Sequence, residues 1–310
     1  MELKKKDMEL LSYLYHSGRE SINKIAKECK LSREQVNYKL RKFKEAGLIK
    51  GFVTLFNYPS IGYKIWATLL IKSRETPNLS KIKNIISTSQ IIGYYDYYVS
   101  FVAKDEKNLK EIIHEILKEN DGLVLEYKLI KPYFTEMYPL KFIENKNTFN
   151  FLENFEKQNL TKQDIKILSL LEKNARIKIT DLASKLNISS ELALYKLRNL
   201  HKKKIILGTK INFDITKLGF YYSMISIDLF HFSKELEETI KSFAKSSKFV
   251  NSLILSFDSP QIMIQIFNKT QEELLFTISK IKKILEGNIK KFDLMFLQQE
   301  KEINTLPSLE

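Results

Sequence analysis

Residues 32–44 combine side chains that can read base pairs of duplex DNA with side chains that can neutralise phosphates. An arginine can donate two parallel hydrogen bonds to guanine, and glutamine or asparagine can bond adenine in the same way. The candidates for base contacts are Ser32, Arg33, Gln35, Asn37, Tyr38 and Arg41, whereas Lys39, Lys42 and Lys44 suit phosphates. This spacing predicts a helix whose N-terminal part points into the major groove.

A second set of such residues occurs 157 positions later in the chain, where Tyr195–Arg198 repeats Tyr38–Arg41. Glu191 and Leu194 make the second helix a less obvious reader of bases than the first. The run His201–Lys204 suits either phosphate contacts or an exposed helix end. The DNA-binding candidates of this second set are Ser189, Ser190, Tyr195, Lys196 and Arg198.

Two short helices joined by a tight turn must position each set. The stretch Ile22–Gly51 has this pattern, and Ile179–Gly208 repeats it. Ser32 and Ser189 are natural N-caps, because a serine hydroxyl accepts a hydrogen bond from an amide that is unpaired at a helix start. Each stretch therefore predicts a helix-turn-helix whose second helix is basic and polar.

Further signals extend each helix-turn-helix into a three-helix, winged module. Apolar residues at three- and four-residue spacing predict a preceding helix over Asp7–Tyr15 and again over Asp164–Glu172. The segments Leu48–Asn57 and Ile205–Asp214 have the character of short strands, as in a wing or connecting ribbon. We expect Cys29 to pack between the helices of the first module.

The positive charge of the chain is confined to these two modules. The formal net charge is +14, of which residues 1–55 carry +6 and residues 157–214 carry +8, so the remainder is neutral. A lysine-rich surface is often only solvated, but its segregation onto two modules favours phosphate neutralisation. Binding to nucleic acid should then weaken steeply as salt rises.

Composition argues against several other classes of protein. One cysteine excludes an intramolecular disulfide, and four scattered histidines form no pattern of metal ligands, so we expect neither a metal nor a cofactor. No run of about 18 apolar residues occurs, and the N-terminal residues lack the apolar segment of a signal peptide. We therefore expect a cytoplasmic protein that does not enter membranes.

The pattern changes downstream of each module to the order β-α-β-β-α-β, so the predicted fold class is α+β with ferredoxin-like units. In the first copy, strands are predicted at Ile65–Ile71, Ile91–Tyr95, Tyr97–Ala103 and Leu123–Ile130, and helices at Leu79–Ser87 and Leu109–Leu117. The expected domains are residues 1–57 and 159–214 for the two modules, 58–140 and 215–303 for the two units, and 141–158 for a partly helical connector. Residues after 303 are expected to fray.

This arrangement resembles a tandem duplication of the Lrp/AsnC, or feast/famine, family of prokaryotic transcription regulators. The resemblance rests on the opening helix with an early aspartate, the module ending Gly47–Gly51, and the Pro59–Gly62 turn. It implies that two ferredoxin-like units pair sheet to sheet, within one chain or between chains, and associate further through these sheets. It also implies small effectors, commonly amino acids, bound between such units.

One corner of the first unit resembles the family's glycine-x-aromatic-aspartate motif, which implies an effector site. Its residues are Gly93, Tyr94, Tyr95 and Asp96. The second copy has Leu255–Asp258 there, so the glycine is lost, and leucine resists the close backbone approach that glycine permits. We therefore place the candidate effector site at the first corner, although glycine and aspartate alone are also typical of a β-turn.

Three functions remain open from the sequence. The leading one is a sequence-specific DNA-binding transcription regulator, not an enzyme, that acts on double-stranded DNA as a single-chain pseudo-dimer. The second is an enzyme like the sirohaem decarboxylases of haem biosynthesis, which also resemble this family. Only His114 and His231 lie in the ferredoxin-like units, and neither neighbours an arginine. The third is an architectural protein that binds DNA with little sequence preference.

Overall fold

A computed structural model describes residues 3–138, 141, 149–150, 156–298, 301–302 and 304–309. The helices are α1 Lys5–Ser17, α2 Ile22–Cys29, α3 Arg33–Glu45, α4 Glu106–Glu119, α5 Lys162–Lys173, α6 Ile179–Leu186, α7 Ser190–Lys202, α8 Lys234–Ser246 and α9 Gln271–Ile284. Within these ranges, no helix combines the length and the apolar character that crossing a bilayer requires.

The strands follow the three helices of each module in both halves of the chain. They are β1 Ile49–Phe56, β2 Ile65–Ser73, β3 Ile85–Ile92, β4 Tyr97–Ala103, β5 Val124–Ile130, β6 Pro132–Met137, β7 Phe149–Asn150, β8 Ile206–Phe213, β9 Tyr221–Leu229, β10 Val250–Ser256, β11 Ile262–Asn268, β12 Ile289–Leu297 and β13 Lys301–Glu302. The α+β class, the winged helix-turn-helix modules and the ferredoxin-like sheets are thus as the sequence predicts.

Helices α1–α3 and α5–α7 form the two modules, and their caps follow the sequence signals. The Ser32 hydroxyl accepts a hydrogen bond from the Gln35 amide at 3.1 Å, and the Gln35 side chain accepts one from the Ser32 amide at 2.8 Å. Ser189 caps α7 in the same way through the Leu192 amide, and leucine returns no bond. Both recognition helices therefore begin at fixed residues. Cys29 is buried in the first module, and burial raises the pKa of its thiol.

A two-stranded ribbon and reciprocal arginine contacts lock the two modules together. Strands β1 and β8 pair antiparallel. The Arg19 guanidinium donates to the carbonyl oxygens of Ala175 and Ile177, each at 2.6 Å, and Arg176 donates to that of Glu20 at 3.3 Å. At Gly18, a Cβ would lie 2.9 Å from the Thr209 carbonyl oxygen, so only glycine permits this approach. The modules form one body rather than two tethered ones.

The ferredoxin-like units face each other as a sandwich within the one chain. The first sheet has the strand order β5-β2-β4-β3 and the second β12-β9-β11-β10, and the two are continuous where the end of β3 pairs with the end of β12, Ile92 opposite Phe296. Their inner faces enclose an apolar core that includes Leu70, Tyr98, Met224, Ile254 and Met295. Helix α4 covers the outer face of the first sheet, and helices α8 and α9 cover that of the second. The sequence left intrachain and interchain pairing open, and the structure has the intrachain form.

Each unit completes its sheet with a strand from the other half of the chain. Strand β6 follows the first unit but pairs with β10 of the second, with Glu136 opposite Leu253. Strand β13 follows the second unit but pairs with β3 of the first, with Lys301 opposite Thr88. The two halves of the chain are therefore interleaved in space rather than folded as two separate domains.

The helix predicted over Leu79–Ser87 is wrong. Residues 79–84 form turns, and β3 begins at Ile85, opposite Phe101 of β4. The three-residue spacing of Leu79 and Ile82 reflects burial under the first sheet's outer face, which a turn achieves as well as a helix. Residues 93–96, partly predicted as strand, form the turn after β3. The second unit retains its equivalent helix, α8.

Residues on either side of the second half of the chain also depart from expectation. The predicted helical connector has a strand at Phe149–Asn150, paired with β6, and residues 142–148 and 151–155 lie outside the described residues. Residues 304–309, expected to fray, dock between α5 and the first unit. Leu306 is buried, and the carbonyl oxygen of Thr305 accepts a hydrogen bond from the Tyr58 hydroxyl at 2.9 Å.

Replacing Glu172 by glutamine is expected to stabilise this docked segment at neutral pH. The Leu306 amide donates to Glu172 Oε1 at 3.0 Å, and burial raises the pKa of the Glu172 carboxyl despite that bond and nearby Lys173. Folding therefore favours the protonated form, so wild-type stability falls as pH rises from the unfolded pKa through the folded one. Glutamine keeps the acceptor without the charge.

The measurement is the thermal midpoint of the variant and the wild type at pH 7 and near pH 4. The midpoint should be a few degrees higher in the variant at pH 7, and the difference should vanish near pH 4. The matched control is Glu115→Gln, at an exposed position of α4, which should change neither value. An equal gain at both pH values would contradict the role given to the Glu172 charge.

Candidate nucleic-acid interface

Helix α3 presents the predicted base-reading side chains on its solvent face. Val36 and Phe43 are buried in the module core, whereas Arg33, Gln35, Asn37, Arg41 and Lys42 are exposed and Tyr38 is 57% exposed. The α-helical period puts these two groups on opposite faces. The Ser32 hydroxyl is occupied as acceptor by the cap but keeps its own proton to donate. The α3 face can therefore meet base edges and phosphates without rearrangement.

Lys39 and Lys196, also predicted to contact DNA, are held inside their modules by aspartates. Lys39 Nζ lies 2.5 Å from Asp7 Oδ1, and Lys196 Nζ lies 3.8 Å from Asp164 Oδ1. All four side chains are mostly buried, at 12–19% exposure. Each pair ties a recognition helix to the start of the first helix of its module. This geometry favours a positioning role, and a DNA contact by these two lysines stays a prediction.

Helix α7 presents a less polar face than α3. Ser189, Ser190 and Arg198 are exposed, and Tyr195 is 66% exposed, close to the value of its counterpart Tyr38. Leu192 is 41% exposed at the place that Gln35 occupies in α3. An apolar side chain there can touch a thymine methyl group but cannot donate to a base. The two recognition helices of one chain therefore offer different chemistry to DNA.

At the corner predicted as an effector site, two residues hold the turn in shape and two line a cavity. The Asp96 carboxylate accepts a hydrogen bond from the Ser73 amide at 2.9 Å, and a Cβ on Gly93 would lie 3.1 Å from Met295 Cγ of the second unit. Tyr94 and Tyr95 instead line a cavity of about 170 Å³ between the two sheets. Gly93 and Asp96 thus shape the corner, and only the two tyrosines face a space that a ligand could enter.

Charged groups from both units surround this cavity. The hydroxyls of Tyr94 and Tyr95 donate to Glu126, at 2.7 and 3.2 Å. Burial and then the Glu126 charge raise the pKa of Tyr95 to about 12, so its hydroxyl stays protonated. Lys128 lines the cavity from the first sheet, and Asp228, Lys291 and Asp293 line it from the second. The cavity can accept a small ligand that carries both acceptor and donor groups.

The alignment of Leu255 with Gly93 that the sequence suggested is wrong. Leu255 of β10 pairs with Ile262 of β11, as Gln90 pairs with Tyr97 in the first unit. Leu255 is therefore a strand residue and not the counterpart of Gly93.

Replacing Gly93 by leucine is expected to destabilise the sandwich. The new side chain would press on Met295 and Ile91, whose nearest atoms lie 3.1 and 3.4 Å from an ideal Cβ. Overpacking of this kind costs about 1–3 kcal/mol. The measurement is urea unfolding. Gly51→Leu is the control, because nothing lies within 4 Å of a Cβ there. Equal losses in both variants would contradict the argument.

A larger cavity, of about 310 Å³, lies at the second corner, which the sequence had discounted. Tyr133 and Phe257 stack there with ring centroids 4.3 Å apart, and Phe257 is 82% exposed. Trp66 and Lys131 of the first half also line it. The sequence analysis missed this cavity because its walls come from distant segments of the chain. The one signal in the sequence was an aromatic residue, Phe257, at the turn after β10.

Comparison with known proteins identifies the modules. Residues 3–50 and 160–206 match the family described as winged helix-turn-helix DNA-binding. The HTH-type transcriptional regulator LrpA of Pyrococcus horikoshii is 34% identical over 126 residues, which cover 40% of this chain and 88% of that protein. The HTH-type transcriptional regulator FL11 of the same organism is 26% identical over 113 residues, 34% of this chain and 75% of that protein. Each relative is thus about as long as one half of this chain.

One solved structure is similar over almost the whole length. The siroheme decarboxylase NirDL superposes with a TM-score of 0.64 and covers 96% of this chain and 93% of its own. Its sequence identity is 14%, so the likeness concerns the fold alone. Since LrpA is matched over most of its length and the helix-turn-helix pattern occurs twice, the chain belongs to the Lrp/AsnC family of transcription regulators, as a tandem duplication.

Proposed function

We propose that this protein is a DNA-binding transcription regulator that acts in the cytoplasm as a single-chain pseudo-dimer. Each chain offers one α3 face and one α7 face to double-stranded DNA. The observation that carries the proposal is the exposure of both polar helix faces on modules that the β1–β8 ribbon holds in one body. A fixed pair of recognition helices suits two half-sites at one set spacing.

The two helices are expected to read unequal half-sites. Arg33, Gln35 and Asn37 of α3 supply hydrogen-bond donors, whereas α7 presents Leu192 and Tyr195. We infer that α3 supplies most of the discrimination between bases and that α7 supplies shape, apolar contact and phosphate binding. The operator would then be asymmetric, in contrast to the palindrome that a homodimer reads.

The experiment that tests this function is selection of bound duplexes from a random pool, followed by affinity against salt for the best site and for scrambled DNA. A recovered motif with a preference of about a thousandfold or more would support a specific regulator. Strong binding without a motif would place the protein in the architectural class instead. The absence of any binding would refute the proposal.

The cavity at Tyr94 and Tyr95 is the place we propose for a small effector. It lies between the two units, so a ligand there would contact both halves of the pseudo-dimer at once. A ligand changes DNA affinity only if it binds the DNA-competent arrangement with different affinity. Titration of candidate amino acids against the intrinsic tyrosine fluorescence, with Tyr95→Phe as comparison, tests for occupancy.

The fold likeness to NirDL is the observation that favours an enzyme instead. That protein has also been solved with an iron-uroporphyrin III analogue. In the present chain, the three cavities near the tail and the two corners are lined by no histidine, and His114 and His231 are exposed. This lining supports the regulator over a decarboxylase. Titration with an iron porphyrin, followed by absorption, distinguishes the two, since saturable binding would favour the enzyme.

A further inference from the structure

The two sheets can be aligned residue by residue, because they share an irregularity. Strands β2 and β9 have the same length, so Leu70 corresponds to Ser226. In the first sheet the register of β2 with β5 slips between Lys72 and Ser73, and in the second that of β9 with β12 slips at the equivalent position. A bulge retained at one place in both copies fixes the equivalence of their neighbours.

Three equivalent positions on the inner faces carry opposite charges. Lys72 lies opposite Glu126 across the first sheet, and Lys128 lies opposite Leu70. In the second sheet Asp228 lies opposite Lys291, and Asp293 lies opposite Ser226. The equivalent pairs are therefore Lys72 with Asp228, Glu126 with Lys291, and Lys128 with Asp293. The first trio has a net charge of +1 and the second of −1.

These charges meet where the two sheets face each other. Lys128, Asp228 and Asp293 line the same cavity of about 170 Å³. Lys128 Nζ donates to Ser259 Oγ at 2.7 Å, and Ser259 Oγ donates to Asp228 Oδ2 at 2.7 Å. The Tyr94 ring centroid lies 4.1 Å from Lys72 Nζ and 5.9 Å from Lys291 Nζ. Lys128 of the first unit is thus linked through Ser259 to Asp228 of the second, so opposite charges meet across the interface.

A two-fold symmetric pair would not tolerate these residues. In such a pair each residue near the axis meets its own copy, so two first units would bring lysines together and two second units would bring aspartates together. Like charges in a partly buried site repel strongly, because the local dielectric constant is below that of water. Only the mixed pair of a first unit with a second unit places opposite charges face to face.

We propose that charge reversal has made the inner face of each unit specific for the other unit, so that the first unit accepts the second unit of its own chain and rejects a copy of itself. Specificity of this kind combines attraction in the intended pair with repulsion in the alternative. It keeps the first and second units of one chain together, so that the pseudo-dimer is built within each chain. The proposal concerns assembly and stands whether or not the chain binds DNA.

The test is a charge-exchange cycle at the two charges that Ser259 links across the interface, Lys128→Asp, Asp228→Lys and the double variant that exchanges both. Each single variant brings two like charges together across the interface and should lower the thermal midpoint by about 5 °C in low salt. The double variant should regain more than half of the loss. High salt should shrink the single-variant deficits, because screening weakens the repulsion.

Lys290→Asp is the matched control, since it makes the same charge change on β12 at an exposed position and should leave the midpoint near that of the wild type. If a single variant fails to fold, the double variant decides, because its recovery requires the two reversed charges to interact. Single variants that match the control, or a double variant with additive losses, would overturn the proposal.

Discussion

Replacing Arg33 and Arg41 by alanine is expected to lower the affinity for the selected operator about a hundredfold or more, while the folding stability changes little. Both side chains are exposed on α3, and Arg41 lies 3.9 Å from Glu45 in a loose surface ion pair that adds little stability. A well-placed arginine–guanine contact contributes about 1–3 kcal/mol, so losing two has a large effect. The measurement is a titration of labelled operator at fixed salt, with unfolding followed in parallel.

Two comparison variants separate base reading from general attraction to DNA. Lys42→Ala should weaken binding to operator and scrambled duplexes alike and should reduce the salt slope by about one. Arg198→Ala, on α7, should cost less than Arg41→Ala, its counterpart on α3, because α7 offers fewer base-reading neighbours. Equal losses on operator and scrambled DNA for Arg33→Ala/Arg41→Ala would show that α3 does not discriminate.

Replacing Arg19 by alanine is expected to destabilise the protein by about 3 kcal/mol or more. The guanidinium of Arg19 makes two charge-assisted hydrogen bonds to carbonyl oxygens of the other module, and both oxygens would lose their partner. Bonds to charged groups contribute about 1.5–3 kcal/mol each. The free energy of urea unfolding measures the effect, and Arg74→Ala, at an exposed arginine, is the control.

The same variant has a second expected readout. Loosening the contact between modules lowers the effective concentration of α7 near its half-site once α3 is bound. The Arg19→Ala protein should therefore lose more affinity for a complete operator than for a duplex that carries only the α3 half-site. Equal losses on both duplexes would mean that the arginine acts on stability alone.

The modules could be predicted closely because their signals are local. Ser32 and Gln35 specify a helix start through bonds within four residues, and the repeat gives every signal a second, independent reading. The exposed face of α3 followed from the helical period alone. The ion pair of Lys39 with Asp7 could not be predicted from the helical period. The two residues are 32 positions apart in the sequence, and they meet only when the module is packed.

The ferredoxin-like units were less predictable because their structure depends on distant pairing. Residues from Ile85 onward are a strand because β4 and β13 lie on either side of them, and neither neighbour can be inferred from their own periodicity. The cavity at the second corner could not be predicted from the sequence for a related reason. The alignment of Leu255 with Gly93 placed a strand residue at the corner, and it said nothing of Trp66 and Lys131, which reach that corner from the other half of the chain.

The interleaving of the halves also bears on how the protein matures during synthesis. Strand β3 is made early, but β13, which pairs with it, emerges from the ribosome roughly 200 residues later. At about 5–20 residues per second, that interval is on the order of ten to forty seconds. The newborn first sheet spends this time with an open edge, which is a site for aberrant pairing with neighbouring nascent chains. In a homodimer, the pairing of units requires an encounter between two finished subunits. In this tandem chain, completion of the first sheet instead depends on the later synthesis of the same polypeptide.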